Sequence, residues 1–334
     1  MDEIKGKDGV GVNMKRHKLK DAVKDIFYFM GLSDLLLSFS RHGKYPKFLV
    51  LTYHRVCPHY EKDGYLGVPE DVFEQHMKFM RNNFKVVSMT DGLNALNSVN
   101  SGEIYAAINF DDGYMDNYLH AFPVLKKYKI PATVYLATDF IGGEHIFWWD
   151  RVYEIISSRS KDAEKNIPIT ESINSLLRTK SQGDIKKMIQ DLEGPCFPDK
   201  RLRPVEMLGW KEIREMRSCG VDFGAHTKTH SNLCMLDDAR ALEELQGSKK
   251  QIEDAIGEEV TGFTYPFGIL DQRVKGLVQS SGFKYARSTI KGFNDKDVDR
   301  FCLNSIGGGS LLKTSFLAAR ISVDSLRRRR TVDI

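Results

Sequence analysis

The sequence predicts an α/β fold, a closed or nearly closed barrel of βα units, on three observations. Short apolar runs alternate with helical stretches from residue 47 onward, the pattern of a mainly parallel sheet. About seven such runs occur, more than a small flavodoxin-like sheet holds. The clearest of them are apolar throughout instead of alternating, as in strands covered on both faces. The composition permits a core of that size: 41% of the 334 residues are hydrophobic and 28% charged, an ordinary globular mix and neither a disordered nor a fibrous one.

Taken in order, Phe48-Leu-Val-Leu-Thr-Tyr53 is a continuous apolar run and the first buried strand. Val68 to Phe84 follows with helical periodicity, and Pro69 falls near its first turn, where a missing N–H is tolerated. Lys85 to Ser88 reads as a short strand. Tyr105 to Phe110 reads as another buried one, followed by a helix from about Met115 to Tyr128. Pro131 ends that unit, and Ala132 to Ala137 is the next strand. Later strands are expected at Val221 to Ala225, Gly262 to Tyr265 and Phe283 to Arg287, separated by helices around Asp237 to Ile256 and Asp271 to Ser280. The barrel then spans 47–310, after a polar segment with amphipathic helices over 1–46 and before a C-terminal helix and basic tail over 311–334. Residues 157–206 break the rhythm: they are polar, with two weak helical patterns and no strand. They read as an insertion on the barrel rim, either a lid or substrate flap or a solvated excursion.

Charge and cysteine usage exclude several classes. Forty-nine Lys plus Arg against forty-five Asp plus Glu leave a net charge of +4, too little for a nucleic-acid footprint. No apolar run approaches the ~20 residues of a membrane-spanning helix, so an integral membrane protein is not expected. Five scattered cysteines without a C-x-x-C pair argue against a disulfide framework and fit a reducing compartment. Residues 1–20 lack the apolar segment of a secretory signal, so a cytoplasmic location is expected. Leu19, Ala22, Val23, Ile26, Phe27 and Met30 share one helical face, with lysines on the other. That face is expected to pack on the body of the protein, a peripheral contact with the inner membrane face being the alternative. The Arg327 to Arg330 run reads as a solvated tail.

Three short motifs follow predicted strands, where a barrel keeps its chemistry. Asn109-Phe-Asp-Asp-Gly113 places two carboxylates and a glycine directly after the strand ending at Phe110. This is either a tight Asp-Gly turn or a pair with divided labour, one carboxylate holding a metal and the other a proton. His226-Thr-Lys-Thr-His230 puts two imidazoles four residues apart, which on a helical turn share a face. Two imidazoles and one carboxylate make the three-ligand set of a catalytic zinc site with an open fourth position. Zinc there lowers the pKa of water to about 7, and a second carboxylate can take its proton. Thr264-Tyr-Pro-Phe-Gly268 is a Pro-Gly turn that can aim a backbone N–H at a reacting oxygen.

In that order and separation the three motifs resemble the polysaccharide deacetylases (the NodB-homology domain, carbohydrate esterase family four). Tyr53-His-Arg-Val56, Phe147-Trp-Trp-Asp150 and Leu208-Gly-Trp-Lys-Glu-Ile-Arg-Glu-Met216 look like the bacterial exopolysaccharide branch, and the resemblance covers roughly residues 47–306. It implies a distorted (β/α)7 barrel. It also implies that Asp111 is the base and that Asp112, His226 and His230 hold a divalent ion, usually Zn2+, with Co2+ or Ni2+ as alternatives. The backbone N–H of Phe267 would stabilise the oxyanion. The implied substrate is an acetylated carbohydrate bound by Trp148, Trp149, Asp150 and Tyr265, Trp148 and Trp149 facing different ways so that at most one stacks on a sugar.

The chain departs from the family pattern at two points. Thr264 stands where the third motif often carries an Arg that steadies the base, and Arg55 or Arg287 would substitute. The late histidine that usually serves as general acid is absent, since no histidine follows His230 and the matching stretch is Phe301 to Ile306. The leaving amine must still be protonated, because an amine anion cannot leave at neutral pH. His54, after the first strand, is the expected acid, ahead of Asp150. The expected activity is metal-dependent N-deacetylation of a polysaccharide or its precursor. The alternatives are O-deacetylation, whose leaving group needs less acid assistance, and a metal- or sugar-binding module without turnover.

Overall fold

The computed structural model describes residues 22–41, 45–58, 66–98, 102–159, 163–193, 205–309 and 313–326. Leu19, Cys196 and the Arg327–Arg330 run lie outside the described residues. Seven parallel strands close a barrel: β1 (Lys47–Tyr53), β2 (Ile104–Phe110), β3 (Ala132–Leu136), β4 (Val221–Ala225), β5 (Gly262–Thr264), β6 (Tyr285–Lys291) and β7 (Leu303–Gly307). Around the barrel the order is β1-β7-β6-β5-β4-β3-β2, and β2 pairs with β1 in register over the whole strand, from Lys47–Ile104 to Tyr53–Phe110. Closure is uneven. β4 and β5 meet at the single pair Ala225–Phe263, and the β6–β7 ladder shifts register between Arg287 and Lys291, which distorts the cylinder.

The seventh stave differs from the expectation. Lys85–Val86 is a two-residue strand that pairs outside the closed ring, on Tyr105–Ala106 of β2, and β7 completes the barrel in its place. Several smaller differences have local causes. Pro69 is the residue before the helix Glu70–Asn83, and a π-turn over Asn117–Ala121 precedes the short helix Phe122–Tyr128. Asp237 and Asp271 are the caps of the helices Asp238–Ile256 and Gln272–Ser280, accepting from Arg240 N (2.9 Å) and Val274 N (2.7 Å).

Alternation of side chains explains where chemistry can sit. On β1, Leu49, Leu51 and Tyr53 point outward into the layer shared with the surrounding helices, and Phe48 and Val50 fill the barrel. On the inner face Phe48 and Val50 lead up to Thr52, and Ala107 leads up through Asn109 to Asp111. Tyr135 and Tyr285 plug the centre, their hydroxyls 3.4 Å apart. Gly224 and Gly262 make room for those rings: a Cβ on either would stand 2.4 Å from a tyrosine atom.

The described residues of the excursion over 157–206 are mostly helical, but its boundaries differ from the expectation. The helix Trp148–Arg159 straddles the expected start, Ala163–Leu177 and Gln182–Glu193 follow, and a short strand, Val205–Glu206, pairs antiparallel with Glu144–His145. The three helices share a small core of their own around Val152, Ile155, Leu177 and Ile189. At the other end of the molecule, a helix over 22–29 and the helix Leu32–Ser40 rest on the helix Thr314–Leu326, with Ser322 Oγ donating to Ser33 O and Ser40 Oγ to Ser325 O. The face expected to pack on the body does so only in part: Phe27 is half-buried, but Val23 and Ile26 are more than half exposed and Met30 is 69% exposed. Tyr28 makes the inward contact, against Phe79.

Candidate active site

The three motifs meet at the C-terminal mouth of the barrel, around a cavity of about 280 Å³. Asp111 continues the inward alternation of β2 and is buried there. Asp112 adopts a left-handed backbone (φ 74°), which turns its carboxylate aside toward the loop after β4. There its Oδ1 lies 3.6 Å from His226 Nε2 and 3.3 Å from His230 Nε2, and one donor atom from each of the three residues falls within 4.8 Å of the others.

The histidine pair is not on a helical turn, as the spacing suggested. Residues 226–230 form an irregular loop in which Thr227 (φ 64°) and His230 (φ 55°) are left-handed, and this fold-back brings the rings to 4.6 Å. Glu244 pins the loop, accepting from Lys228 N (2.7 Å), Thr229 N (2.9 Å) and Thr229 Oγ1 (2.7 Å). Six non-glycine residues among those described have positive φ, and four of them (Asp112, Thr227, His230 and Phe267) belong to these three motifs. Backbone held in that region costs on the order of 1 kcal/mol or more per residue and collects where function over-determines geometry.

Thr264 does not reach the base. Its carbonyl lies 2.8 Å and its hydroxyl 2.7 Å from His226 Nδ1. A carbonyl only accepts, so the imidazole proton sits on Nδ1 and the Nε2 lone pair faces Asp112. Arg287, not Arg55, meets the base: its Nη2 donates to both oxygens of Asp111 inside the barrel. Arg55 instead pairs with Asp116 (2.7 Å), away from Asp111. Burial alone would raise the Asp111 pKa, but Arg287, with smaller help from His226 and His54, holds it below the ordinary carboxylate value. Asp112 goes the other way, pushed well up by burial and by the neighbouring Asp111 charge. Burial pushes His226 down to about 4 and His230 well below its ordinary value.

His54 lines the cavity with Nε2 3.9 Å from Asp111 Oδ2. Burial lowers its pKa, with the Asp111 charge opposing and Arg287 reinforcing. Phe267 is left-handed (φ 59°), and its N–H has no backbone partner among the described residues, the turn's own bonds being Gly268 N to Tyr265 O and Ile269 N to Pro266 O. Trp148 and Trp149 both border the cavity and face different ways, their rings edge to face at 5.3 Å. The Trp149 ring stands 4.6 Å from His230. Asp150 is not a cavity residue: its Oδ2 accepts from Tyr114 OH (3.2 Å), which in turn accepts from Trp149 Nε1 (3.2 Å), so it supports the tryptophan from behind. Tyr265 touches the cavity only with its ring, because its hydroxyl donates to Phe301 O. Sequence reasoning missed Asn174 and Arg178, which the excursion brings to the same cavity, and Ser305 on β7, in the stretch where the family's late histidine falls.

A parallel barrel with a carboxylate and two imidazoles converging at its mouth, beside a second carboxylate clamped by arginine, is a hydrolase architecture. The chain belongs to the polysaccharide deacetylase family, whose sequence profile matches residues 98–286. Similar curated proteins include YxkH of Bacillus subtilis, 23% identical over 262 residues, covering 78% of this chain and 71% of that protein. Another is the poly-beta-1,6-N-acetyl-D-glucosamine N-deacetylase of Staphylococcus aureus, 22% identical over 190 residues; the match covers 54% of this chain and about half (46%) of that enzyme. Among solved structures, the Streptococcus pyogenes deacetylase PplD in complex with acetate superposes with a TM-score of 0.57 at 18% identity, over 82% of this chain and 98% of that one. IcaB from Ammonifex degensii superposes with a TM-score of 0.56 at 18% identity, over 85% and 98% respectively. These likenesses show the fold, a parallel seven-stranded barrel of the deacetylase type.

Proposed function

We propose that the chain is a metal-dependent N-deacetylase that removes acetyl groups from acetamido sugars of a polysaccharide or its precursor. One observation carries this reading: both oxygens of buried Asp112 lack a hydrogen-bond partner among the described residues, and two imidazole Nε2 atoms face one of them. A buried carboxylate without donors is costly unless a cation takes their place. The donor set of one carboxylate and two neutral imidazoles fits a zinc ion with an open position, and Co2+ or Ni2+ would also be accepted.

Asp112, His226 and His230 would hold the ion, which when bound polarises a carbonyl and eases deprotonation of water. Asp111 takes the proton of the attacking water at the oxygen that faces the cavity, and Arg287 keeps that carboxylate ionised and aimed. The Phe267 N–H stabilises the negative charge that develops on the carbonyl oxygen. His54, 3.9 Å from Asp111, would pass the proton that Asp111 has taken on to the amine as it leaves. Trp148 and Trp149 provide the apolar wall on which a sugar ring rests. Acetate release from N-acetylglucosamine oligomers, measured with and without added zinc, tests the reading, and release that is absent with zinc, cobalt and nickel alike defeats it. Ser305 in the histidine's stretch supports a second reading, O-deacetylation, since an alkoxide leaving group needs less acid. Acetate release from O-acetylated oligomers separates the two.

We further propose peripheral contact with an anionic membrane through the N-terminal helices. Phe29 is 81% exposed, beside Val23, Ile26 and Met30, and the sequence on either side is basic: Lys15 to Lys20 before this helix, and Arg327 to Arg330 after the helix it rests on. Co-sedimentation with phosphatidylglycerol vesicles, lost in Phe29→Glu and absent with phosphatidylcholine, supports the contact; dimerisation reversed by the same substitution contradicts it.

A further inference from the structure

The excursion buries a polar stripe on the helix Ala163–Leu177, and the stripe reaches the cavity at Asn174. In the helix Ala163–Leu177, Asn166, Thr170 and Asn174 recur every four residues, and all three are buried. A helix that had only to pack would bury apolar side chains there. Asn174 lines the cavity, is 4% exposed, and has neither its amide oxygen nor its amide nitrogen partnered among the described residues. Trp148 Nε1, on the same wall, is buried and unpartnered as well. Native structures rarely leave such groups orphaned, and here they line an opening sized for a ligand.

One turn beyond Asn174, Arg178 lines the same cavity, its Nη2 donating to Ser175 Oγ (2.7 Å). Across the opening, β6 contributes Thr289 and Lys291. Neither Arg178 nor Lys291 forms an ion pair among the described residues. Of the acids of the cavity, Asp111 is paired with Arg287, and Asp112 belongs to the set it forms with His226 and His230. The rim therefore carries a half-buried arginine and an exposed lysine beside donors and acceptors that lack partners, a setting that favours an anionic group on the ligand. The backbone carbonyl of Arg178 accepts from Asn232 Nδ2 (2.9 Å), which fixes the excursion to the loop that carries the histidine pair.

We propose that the substrate is an acetylated sugar carrying an anionic group, a carboxylate or a phosphate, on the same or an adjacent sugar. Arg178 and Lys291 recognise that group, and Asn174 bonds the ring's hydroxyl or amide groups. This inference rests on the deacetylase reading of the same cavity. Arginine suits both anions, because its planar fork meets two oxygens at once.

Tryptophan fluorescence tests it directly, since Trp148 and Trp149 border the site. The full-length protein is titrated with three probes: a neutral N-acetylglucosamine oligomer, an oligomer alternating glucuronate with N-acetylglucosamine, and UDP-N-acetylglucosamine. One charged probe is expected to bind at least about tenfold more tightly than the neutral one, and which of the two does so tells carboxylate from phosphate. That preference should fall to about threefold or less in Arg178→Gln and Lys291→Gln, and again on raising the salt concentration. Both substitutions keep the backbone contacts, and circular dichroism checks that the variants fold. Equal binding of neutral and charged probes, or a preference that survives both substitutions, overturns the proposal. Acetate release from the same probes keeps the two readings apart. Preferential binding without acetate release sinks the deacetylase reading alone, and equal release from neutral and charged probes, with equal binding, sinks the anionic subsite alone.

Discussion

Asp111 and Asp112 are neighbours in the chain with opposite electrostatic settings. Arg287 holds Asp111 below the ordinary carboxylate pKa, whereas burial and the adjacent charge push Asp112 up. The left-handed backbone at Asp112 makes this division possible, because consecutive residues of an extended strand would point to opposite faces of the barrel wall. Replacing the base without touching the ligands should separate chemistry from metal holding. Asp111→Asn is expected to lower kcat by about 10²–10⁴-fold while zinc content stays near the parent value, read by acetate release and elemental analysis. His54→Ala is expected to cost about 10²-fold or more in kcat with metal content intact. Full activity of that variant across the pH range would remove His54 from the mechanism. That Asp111, Asp112, His226 and His230 would meet was legible in the sequence because each adjoins a strand end inside a short motif. The clamp on the base was narrowed only to Arg55 or Arg287, since Arg287 and Asp111 are 176 residues apart and meet only when the barrel closes.

At the scale of elements, the loop after β4 shows how a motif can be read correctly for a wrong reason. Four-residue spacing suggested a helical face, but the loop is irregular and owes its shape to Glu244, which lies on the following helix. Glu244→Gln keeps size and one acceptor but weakens the charge-assisted bonds to Lys228 N and Thr229 N. It is expected to lower zinc affinity about 10–100-fold, measured by competition with a chelator; unchanged affinity would show that the loop holds its shape unaided. The seventh stave was misread for a related reason. β7 alternates between the barrel interior and the outer layer, and its inward Ser305 lies at the polar mouth, so Leu303-Asn-Ser-Ile-Gly307 lacks the apolar run that marked the other strands. The excursion was recognisable as an interruption, whereas its contribution of Asn174 and Arg178 depends on how three helices fold back over the opening.

For the molecule as a whole, closure of the sheet turns separate motifs into one site, and a buried network behind Trp149 supports it. Burial pushes Asp150 up to about 7, with Arg55 and the Tyr114 hydroxyl opposing and Asp116 and Glu154 adding to the rise. A carboxyl whose folded pKa exceeds its free value of 3.8 binds protons on folding between those two pH values. Its contribution to stability is therefore fullest below about pH 4 and declines as the pH rises through 7. Asp150→Asn, which still accepts from Tyr114, should lessen the fall in Tm between pH 5 and pH 8 by several degrees in thermal melts, and identical pH profiles would contradict this assignment. The fold class was readable because βα alternation is a property of the whole chain, and the partnerships that cross the barrel were not, because no local pattern encodes them. The central claim is that Asp112, His226 and His230 share one ion. Anomalous diffraction at the zinc edge from crystals grown with zinc tests it most directly. The account predicts a single strong peak about 2.0–2.2 Å from one Asp112 oxygen and both Nε2 atoms, and a peak elsewhere, or none at this position, would contradict it.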